Sequence, residues 1–183
     1  FVKYASVPLV NMESSVGHPL QALADAITLA EHIAKPRPKV VLSWAPHPRA
    51  LPHAVANSFV QMMQLQKADF VITQPKGYKL NPEITKDVPI LYNQDEALKD
   101  ADIVYVKNWS SYTDYGKVLH QDTNWMITQE KLGGAQFMHC LPVRRNVVVE
   151  DAVLDSTASL VIPQANNRTY SAQIVLKKIL ENL

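Results

Sequence analysis

Short apolar segments alternate with amphipathic ones along almost the whole chain, and this alternation limits the fold more than any other feature. Segments rich in β-branched and aromatic residues predict extended structure at 3–12, 38–44, 69–73, 89–93, 102–108, 135–140 and 159–163. Periodic apolar residues predict helices at 18–33, 51–65, 81–87, 94–100, 122–132 and 166–183. Gly133 and Gly134 are expected to end the helix at 122–132. Helices that connect successive strands are typical of right-handed crossovers between parallel strands. The sequence therefore predicts an α/β fold, with a doubly wound, Rossmann-like parallel sheet and helices on both faces.

The composition agrees with one globular domain and argues against several kinds of partner. The chain has 183 residues, 47% of them hydrophobic and 19% charged, and its formal net charge is +1. The basic residues are scattered, so neither nucleic acid nor a membrane surface is predicted as a partner. No apolar run approaches the roughly twenty residues of a membrane span. The single cysteine cannot form an internal disulfide, which favours a reducing cytoplasm.

Polar side chains collect where the predicted strands end. In an open parallel sheet, ligands bind at the carboxyl ends of the strands, at the point where the strand order reverses. The residues that follow the strands are Glu13 and His18, His47, Lys107 with Asn108 and Trp109, residues 139–145, and residues 166–168. The strands themselves are nearly all apolar. We therefore expect the loops at this edge to line one polar crevice.

The segment HCLPVRRN, residues 139–146, is the strongest signal. Neighbouring strand residues point to opposite faces, so a nucleophilic pair of His139 and Cys140 is not expected, and other metal ligands are lacking nearby. The segment instead offers a thiol, the Leu141 carbonyl and the guanidinium of Arg144 or Arg145 to a polar or anionic ligand. A buried structural cysteine beside two solvated arginines explains the same residues equally well.

Two further motifs admit both a functional and a structural interpretation. In GHPLQALAD, His18 and Gln21 share one face of the first helical turn, where free N–H groups favour an anion, but His18 also suits a plain helix cap. His47 in WAPHPR and Lys107 at a strand end fit a surface turn and a solvated charge when each is taken alone. No G-x-G-x-x-G turn occurs, which argues against a dinucleotide-dependent oxidoreductase.

HPLQALAD at 18–25, HCLP at 139–142 and Asn-Arg at 167–168 together resemble the carbamoyltransferases, the family of ornithine and aspartate transcarbamylases. The resemblance covers essentially all of the chain and implies an amino-acid-substrate (Asp/Orn-binding) domain at 1–183. No Ser-x-Arg-Thr-Arg loop occurs, so the family's carbamoyl-phosphate-binding N-terminal domain is expected to be absent from this chain, and the chain alone to be inactive. The resemblance implies a homotrimer for the full-length protein and neither a metal nor an organic cofactor.

The resemblance also implies roles for individual residues. His18 and Gln21 would hold the carbamoyl group of carbamoyl phosphate, and Arg168 would bind its oxygen. Cys140 and the Leu141 carbonyl would contact the carbamoyl nitrogen and the attacking amine. The implied catalytic residues are thus His18, Cys140 and Arg168, with the cysteine as an orienting group rather than a nucleophile. His18 and Arg168 would stabilise the oxyanion of the tetrahedral intermediate.

The segment KNWSSY separates this chain from ordinary ornithine enzymes, which carry an acidic residue there for the substrate's α-ammonium group. Lys107 cannot pair with an ammonium, but it suits an acylated, uncharged α-nitrogen or an acyl carboxylate. With WAPHPR and CLPVRRN, the segment resembles the N-acylornithine transcarbamylases of arginine biosynthesis. Val148, where the acetylornithine form carries a lysine, favours N-succinylornithine. The substrate-binding residues implied are Glu13, His47, Lys107, Leu141 and Arg144. An ordinary ornithine carbamoyltransferase and an inactive binding module are the alternatives.

Overall fold

A five-stranded parallel sheet forms the centre of the computed structural model, which describes all 183 residues. The strands are β1 (Lys39–Trp44), β2 (Asp69–Thr73), β3 (Ile90–Leu91), β4 (Ile103–Lys107) and β5 (Gln136–Met138). Their order in the sheet is β3-β2-β1-β4-β5, and every pair of neighbours is parallel. The predicted doubly wound parallel sheet is confirmed.

Helices cover both faces of this sheet. They are α1 (Pro19–His32), α2 (Ala54–Gln64), α3 (Pro82–Thr85), α4 (Gln94–Leu98), α5 (Gln129–Leu132), α6 (Asp151–Leu154) and α7 (Val161–Leu180), with a 3₁₀ turn at Thr123–Trp125. Alternate residues of β1 enter separate hydrophobic cores, because side chains along a strand point to opposite faces. Leu42 joins a core with Phe59 of α2, whereas Val41 joins a core with Ala97 of α4.

Two predictions of extended structure are wrong. Residues 3–12 form no strand, and their side chains are exposed, so Glu13 does not follow a strand. Pro8 lacks an amide donor, which disfavours a strand ladder through this segment. Residues 159–163 form only an isolated parallel bridge, between Ser159 and Phe137 of β5. The bridge does not extend into a strand, because α7 already begins at Val161 and carries Pro163 in its first turn, where a missing N–H costs no hydrogen bond. Arg168 therefore lies about two turns into α7 rather than at its start.

The predicted helix at 122–132 is broken in the middle. Ile127 is extended there, and its amide donates to the Val148 carbonyl at 3.1 Å, which ties the break to a second loop. Gly133 ends α5 with a φ of +57°, a conformation that favours glycine, as the sequence predicts. Strand β5 stops at Met138, so His139 and Cys140 follow the strand instead of belonging to it.

None of the helices combines the length and the apolar character that crossing a membrane requires.

Candidate active site

The strand order reverses between β1 and β4, and a crevice is expected at their carboxyl ends. Trp44 ends β1 and is the register partner of Lys107, which ends β4. From these two strands the chain continues to opposite halves of the sheet, so the loops that follow them diverge. The Lys107 side chain is half-buried and forms no salt bridge within the protein. An unpaired cation thus stands at the switch point of the sheet.

The charge of Lys107 acts on two of the predicted residues, His18 and His139. Burial lowers the pKa of His18 despite the opposing charge of Glu13, and the positive charges of Arg168 and Lys107 lower it further. Burial also lowers the pKa of His139 to about 3, with smaller effects from Lys107 and His47. Both imidazoles are therefore neutral at pH 7. The charges of Glu13, Arg168, Lys107 and His47 thus act on two imidazoles that follow different parts of the chain.

His18 is held at the start of α1 by contacts with α2. Its backbone amide donates to Ser58 Oγ at 2.8 Å, and Asn57 Nδ2 donates to the Val16 carbonyl at 3.0 Å. A Cβ on Gly17 would lie 3.2 Å from Ser58 Oγ, so glycine permits this close approach. The His18 side chain makes no capping hydrogen bond, and its buried Nδ1 has no partner. Helix capping, the structural alternative, therefore does not account for the His18 ring.

Gln21 lies one turn further along α1 and is almost completely buried. Its Nε2 donates to Asp25 Oδ1 at 2.7 Å, whereas its Oε1 is buried without a partner. Sequence reasoning assigned no role to Asp25. A signal was present, because Asp25 stands four residues after Gln21 and so shares its helix face.

Hydrogen bonds hold the HCLP segment in place after β5. The Leu141 amide donates to His139 Nδ1 at 2.9 Å, and Leu141 has a φ of +56°, which is rare for a leucine. The His139 amide donates to Gln164 Oε1 of α7 at 2.9 Å. Burial raises the pKa of the Cys140 thiol, although the Lys107 charge opposes the effect. Cys140 is therefore a thiol rather than a thiolate at neutral pH, which suits an orienting group better than a nucleophile.

The two adjacent arginines have different surroundings. Arg145 binds Asp155 at 2.7 Å and Asp151 at 2.8 Å, so its charge is paired. Arg144 Nε instead donates to His47 Nε2 at 3.1 Å and forms no salt bridge. Arg144 can donate to Nε2 only when Nδ1 carries the proton, and Nδ1 then donates to the Arg49 carbonyl at 2.9 Å rather than accepting from the Arg49 amide, which lies 3.0 Å away. Burial and the Arg144 and Lys107 charges lower the pKa of His47, against that bond to Arg49, so the ring is neutral at pH 7 and orients Arg144.

The remaining predicted residues divide into exposed and structural ones. Arg168 and Glu13 are exposed, and neither forms a salt bridge within the protein. Asn108 and Trp109, expected in the crevice, are buried. Asn108 Nδ2 donates to the Ala45 carbonyl at 2.8 Å, and Trp109 Nε1 donates to the Tyr78 carbonyl at 2.7 Å. Their side chains stabilise the loop after β4, because the backbone groups they bind would otherwise lack partners.

Two cavities lie near the sheet edges. One of about 270 Å³ adjoins His47 and is lined by Pro46, His47, Pro48, Gln121, Thr123, Met126, Asn146 and Val147. The other, of about 730 Å³, lies at the opposite edge, near Lys99 and Lys131, and contains none of the predicted site residues. No cluster of three or more His, Cys, Asp or Glu side chains is arranged to hold a metal ion.

Comparison with known families decides which enzymes these residues belong to. The model of the aspartate/ornithine carbamoyltransferase family, for its Asp/Orn binding domain, matches residues 52–179. The chain belongs to this carbamoyltransferase family. The predicted family membership is thereby confirmed, and HPLQALAD lies before the matched range, whereas HCLP and Arg168 lie within it.

Individual relatives of this carbamoyltransferase chain are named for acylated substrates. An N-succinylornithine carbamoyltransferase of Bacteroides fragilis is 47% identical over 188 residues, which cover 100% of this chain and 59% of the relative. An N-acetylornithine carbamoyltransferase of Xanthomonas campestris is 31% identical, with 98% of this chain and 60% of the relative covered. The chain thus spans about 60% of the length of these relatives.

Solved structures agree with the sequence comparison. A crystal structure of an N-acetyl-L-ornithine transcarbamylase mutant complexed with PALAO superposes with a TM-score of 0.91 and 32% identity, over 98% of this chain and 61% of that one. The structure of another mutant of that enzyme, complexed with carbamyl phosphate and N-succinyl-L-norvaline, also superposes with a TM-score of 0.91, with 31% identity and the same coverage of both chains. The fold of this carbamoyltransferase chain is therefore that of its named relatives.

Proposed function

We propose that the intact protein transfers the carbamoyl group of carbamoyl phosphate to the δ-amine of an N-acylated ornithine and releases phosphate. N-succinylornithine is favoured over N-acetylornithine. The observation that carries this proposal is the unpaired Lys107 at the switch point, where an α-ammonium group would be repelled and a neutral acylated nitrogen would not. The named relatives support it, since the one at 47% identity is an N-succinylornithine carbamoyltransferase.

The carbamoyl group would lie between α1 and the HCLP segment. The δ-amine attacks the carbamoyl carbon, a C–N bond forms, and the C–O bond to phosphate then breaks, with the amine proton passing to the departing phosphate. His18 and Arg168 donate to the oxygen, on which negative charge develops. Cys140 and the Leu141 carbonyl orient the two nitrogens. The thiol stays protonated, because burial raises its pKa.

The amino-acid substrate would lie on the side of Lys107 and Arg144. Both cations are free of salt bridges, so a carboxylate of an acylornithine meets no competing anion at either. His47 contributes by holding Arg144 through the 3.1 Å hydrogen bond. Glu13 is the acid available to the amine end, and its charge already acts on His18 nearby.

Further parts of the catalytic machinery are proposed to lie outside residues 1–183. A phosphate cradle of the Ser-x-Arg-Thr-Arg kind does not occur in this sequence, and the chain spans 59% of a relative with the proposed activity. The residues described here would then form the amino-acid-substrate domain. A homotrimer and a cytoplasmic location stay predictions for the full-length protein.

Transfer itself is tested with carbamoyl phosphate labelled with ¹³C. Full-length protein is incubated with the label and N-succinylornithine, and the product is followed by ¹³C NMR and mass spectrometry. The proposal predicts a labelled ureido carbon on the acylornithine and one phosphate per product. His18→Ala should abolish the signal, whereas Lys67→Asp, an exposed residue at the amino end of β2, should not. Phosphate release without a labelled acylornithine would contradict the proposal.

A further inference from the structure

Asp25 is a buried carboxylate for which the proposed mechanism has no use. It lies on α1 with no exposed surface, and two glutamines of different helices meet at one of its oxygens. Gln21 Nε2 of α1 and Gln164 Nε2 of α7 each lie 2.7 Å from Asp25 Oδ1. Gln164 Oε1 in turn accepts the His139 amide at 2.9 Å. One carboxylate thus links the GHPLQ helix to the start of the HCLP segment.

This contact fixes the orientation of the Gln21 amide. An ionised carboxylate only accepts hydrogen bonds, so the Gln21 atom that faces Asp25 must be the amide nitrogen. The carbonyl oxygen of the same amide is then turned away from Asp25. In the structure this oxygen is buried and has no partner. Buried polar atoms are rarely left unpaired, and a bound ligand that donates an N–H would satisfy this one.

The protonation state of Asp25 does not disturb the arrangement. Burial raises the pKa of Asp25 to about 7, against hydrogen bonds from Gln164 and Gln21. When a proton binds, Oδ2 is the oxygen available to it, because both glutamines donate to Oδ1. The Tyr105 hydroxyl also faces this carboxylate, and a hydroxyl can either donate to Asp25 or accept from it. Oδ1 continues to accept from both glutamines in either form. An asparagine at this position has the same acceptor and resembles the protonated acid.

We propose that Asp25 is a positioning residue that holds Gln21 with its carbonyl oxygen free to accept the N–H of the carbamoyl group. The inference rests on the proposed function, since it takes carbamoyl phosphate as the ligand. Without Asp25, the Gln21 amide can rotate, and its oxygen is no longer presented in one orientation. Asp25 therefore makes the site selective for a carbamoyl group over an acyl group of the same shape.

Acetyl phosphate is the probe that separates this role from a merely structural one, because a methyl group replaces the carbamoyl nitrogen. Dissociation constants for carbamoyl phosphate and acetyl phosphate are measured by titration calorimetry on the full-length protein. Wild type should prefer carbamoyl phosphate by roughly tenfold, the value of one hydrogen bond. Asp25→Ala should lose most of this preference, and Asp25→Asn should keep it.

Thr28→Val is the matched control, since Thr28 is equally buried on α1 and accepts a hydrogen bond from Asn167 of α7. It should lower the melting temperature and leave the preference unchanged. A folded Asp25→Ala protein that keeps the wild-type preference for carbamoyl phosphate would overturn the role of Asp25. A folded Asp25→Asn protein that has lost this preference would also overturn it, and this second test holds even if the alanine variant does not fold. A wild-type protein that binds neither carbamoyl phosphate nor acetyl phosphate would instead overturn the proposed function.

Discussion

Arg144 Nε donates a hydrogen bond to His47 Nε2 at 3.1 Å, across 97 positions of sequence. His47 follows β1 and Arg144 follows β5, so the bond joins loops from two strands that are not neighbours in the sheet. It spans the switch point next to Lys107. The neighbouring Arg145 turns to Asp151 and Asp155 instead. We therefore expect Arg144 to bind substrate and Arg145 to stabilise the loop.

Replacing the two arginines one at a time should give opposite results. Arg144→Ala should lower kcat/KM for N-succinylornithine by roughly one to two decades, because a charge-assisted hydrogen bond to a carboxylate is lost. Arg145→Ala should leave kcat/KM near that of wild type and lower the melting temperature, since it loses its two carboxylate partners. Steady-state kinetics and thermal unfolding on both variants test the assignment. The reverse pattern would show that Arg145 is the substrate ligand.

Cys140→Ser should weaken catalysis without abolishing it. A hydroxyl still forms hydrogen bonds, whereas loss of a covalent nucleophile would cost far more. The buried thiol, whose pKa is raised, should also react slowly with iodoacetamide in the folded protein and quickly after unfolding in urea. Intact-mass spectrometry during turnover checks the same point. A trapped carbamoyl-enzyme on Cys140 would refute direct transfer.

Lys107→Asp should change substrate preference. The variant offers a partner to an ammonium and removes one from a carboxylate, so kcat/KM for N-succinylornithine should fall by roughly one to two decades. The value for free ornithine should fall much less. Lys67→Asp makes the same charge change at the opposite sheet edge and should alter neither value. Equal losses for both substrates in the Lys107 variant would show that Lys107 does not sense the acylated end.

Asp25 should give the protein a stability that falls with rising pH. Burial raises its pKa from 3.8 to about 7. Between these values the folded protein binds a proton that the unfolded chain releases, so this group's contribution to the free energy of unfolding decreases as pH rises. Asp25→Asn removes that decrease. Relative to wild type, its free energy of unfolding should rise between pH 4 and 7 by up to about 1.4 kcal/mol per pH unit.

Asp102 provides a control of opposite sign for this measurement. Partial burial would raise the pKa of Asp102, but hydrogen bonds from the Lys35 side chain and the Lys39 amide hold it below its usual value. Asp102→Asn should therefore be less stable than wild type at neutral pH, and the difference should shrink as the pH falls. Urea unfolding at several pH values compares the two variants. Parallel pH dependence in both would contradict the assignment to Asp25.

Patterns along the sequence predict the sheet and the edge that carries the site, because β1, β2 and β4 are continuous apolar segments followed by polar residues. They do not show that α7 begins at Val161, since apolar residues before Pro163 suit a strand equally well. They also cannot separate Arg144 from Arg145, which have the same chemistry. That distinction depends on where Asp151 and Asp155 lie after folding.

The contacts of Asp25 also could be predicted from the sequence only in part. HPLQALAD places Gln21 and Asp25 on one helix face, so their contact is predictable from spacing. Gln164, the other glutamine bound to Asp25, is 139 residues away in the sequence. Only the packing of α1 against α7 brings it to the same carboxylate oxygen. Local periodicity carries no information about such a contact.

The specificity of the full-length wild-type protein tests the proposed preference for N-acylated ornithine most directly. The values of kcat/KM are measured for N-succinylornithine, N-acetylornithine and free ornithine at saturating carbamoyl phosphate. We predict the highest value for N-succinylornithine and the lowest for free ornithine, whose α-ammonium group is repelled by Lys107. Preference for the acetyl over the succinyl compound would overturn only the interpretation of Val148. Preference for free ornithine would contradict the assignment to acylated substrates.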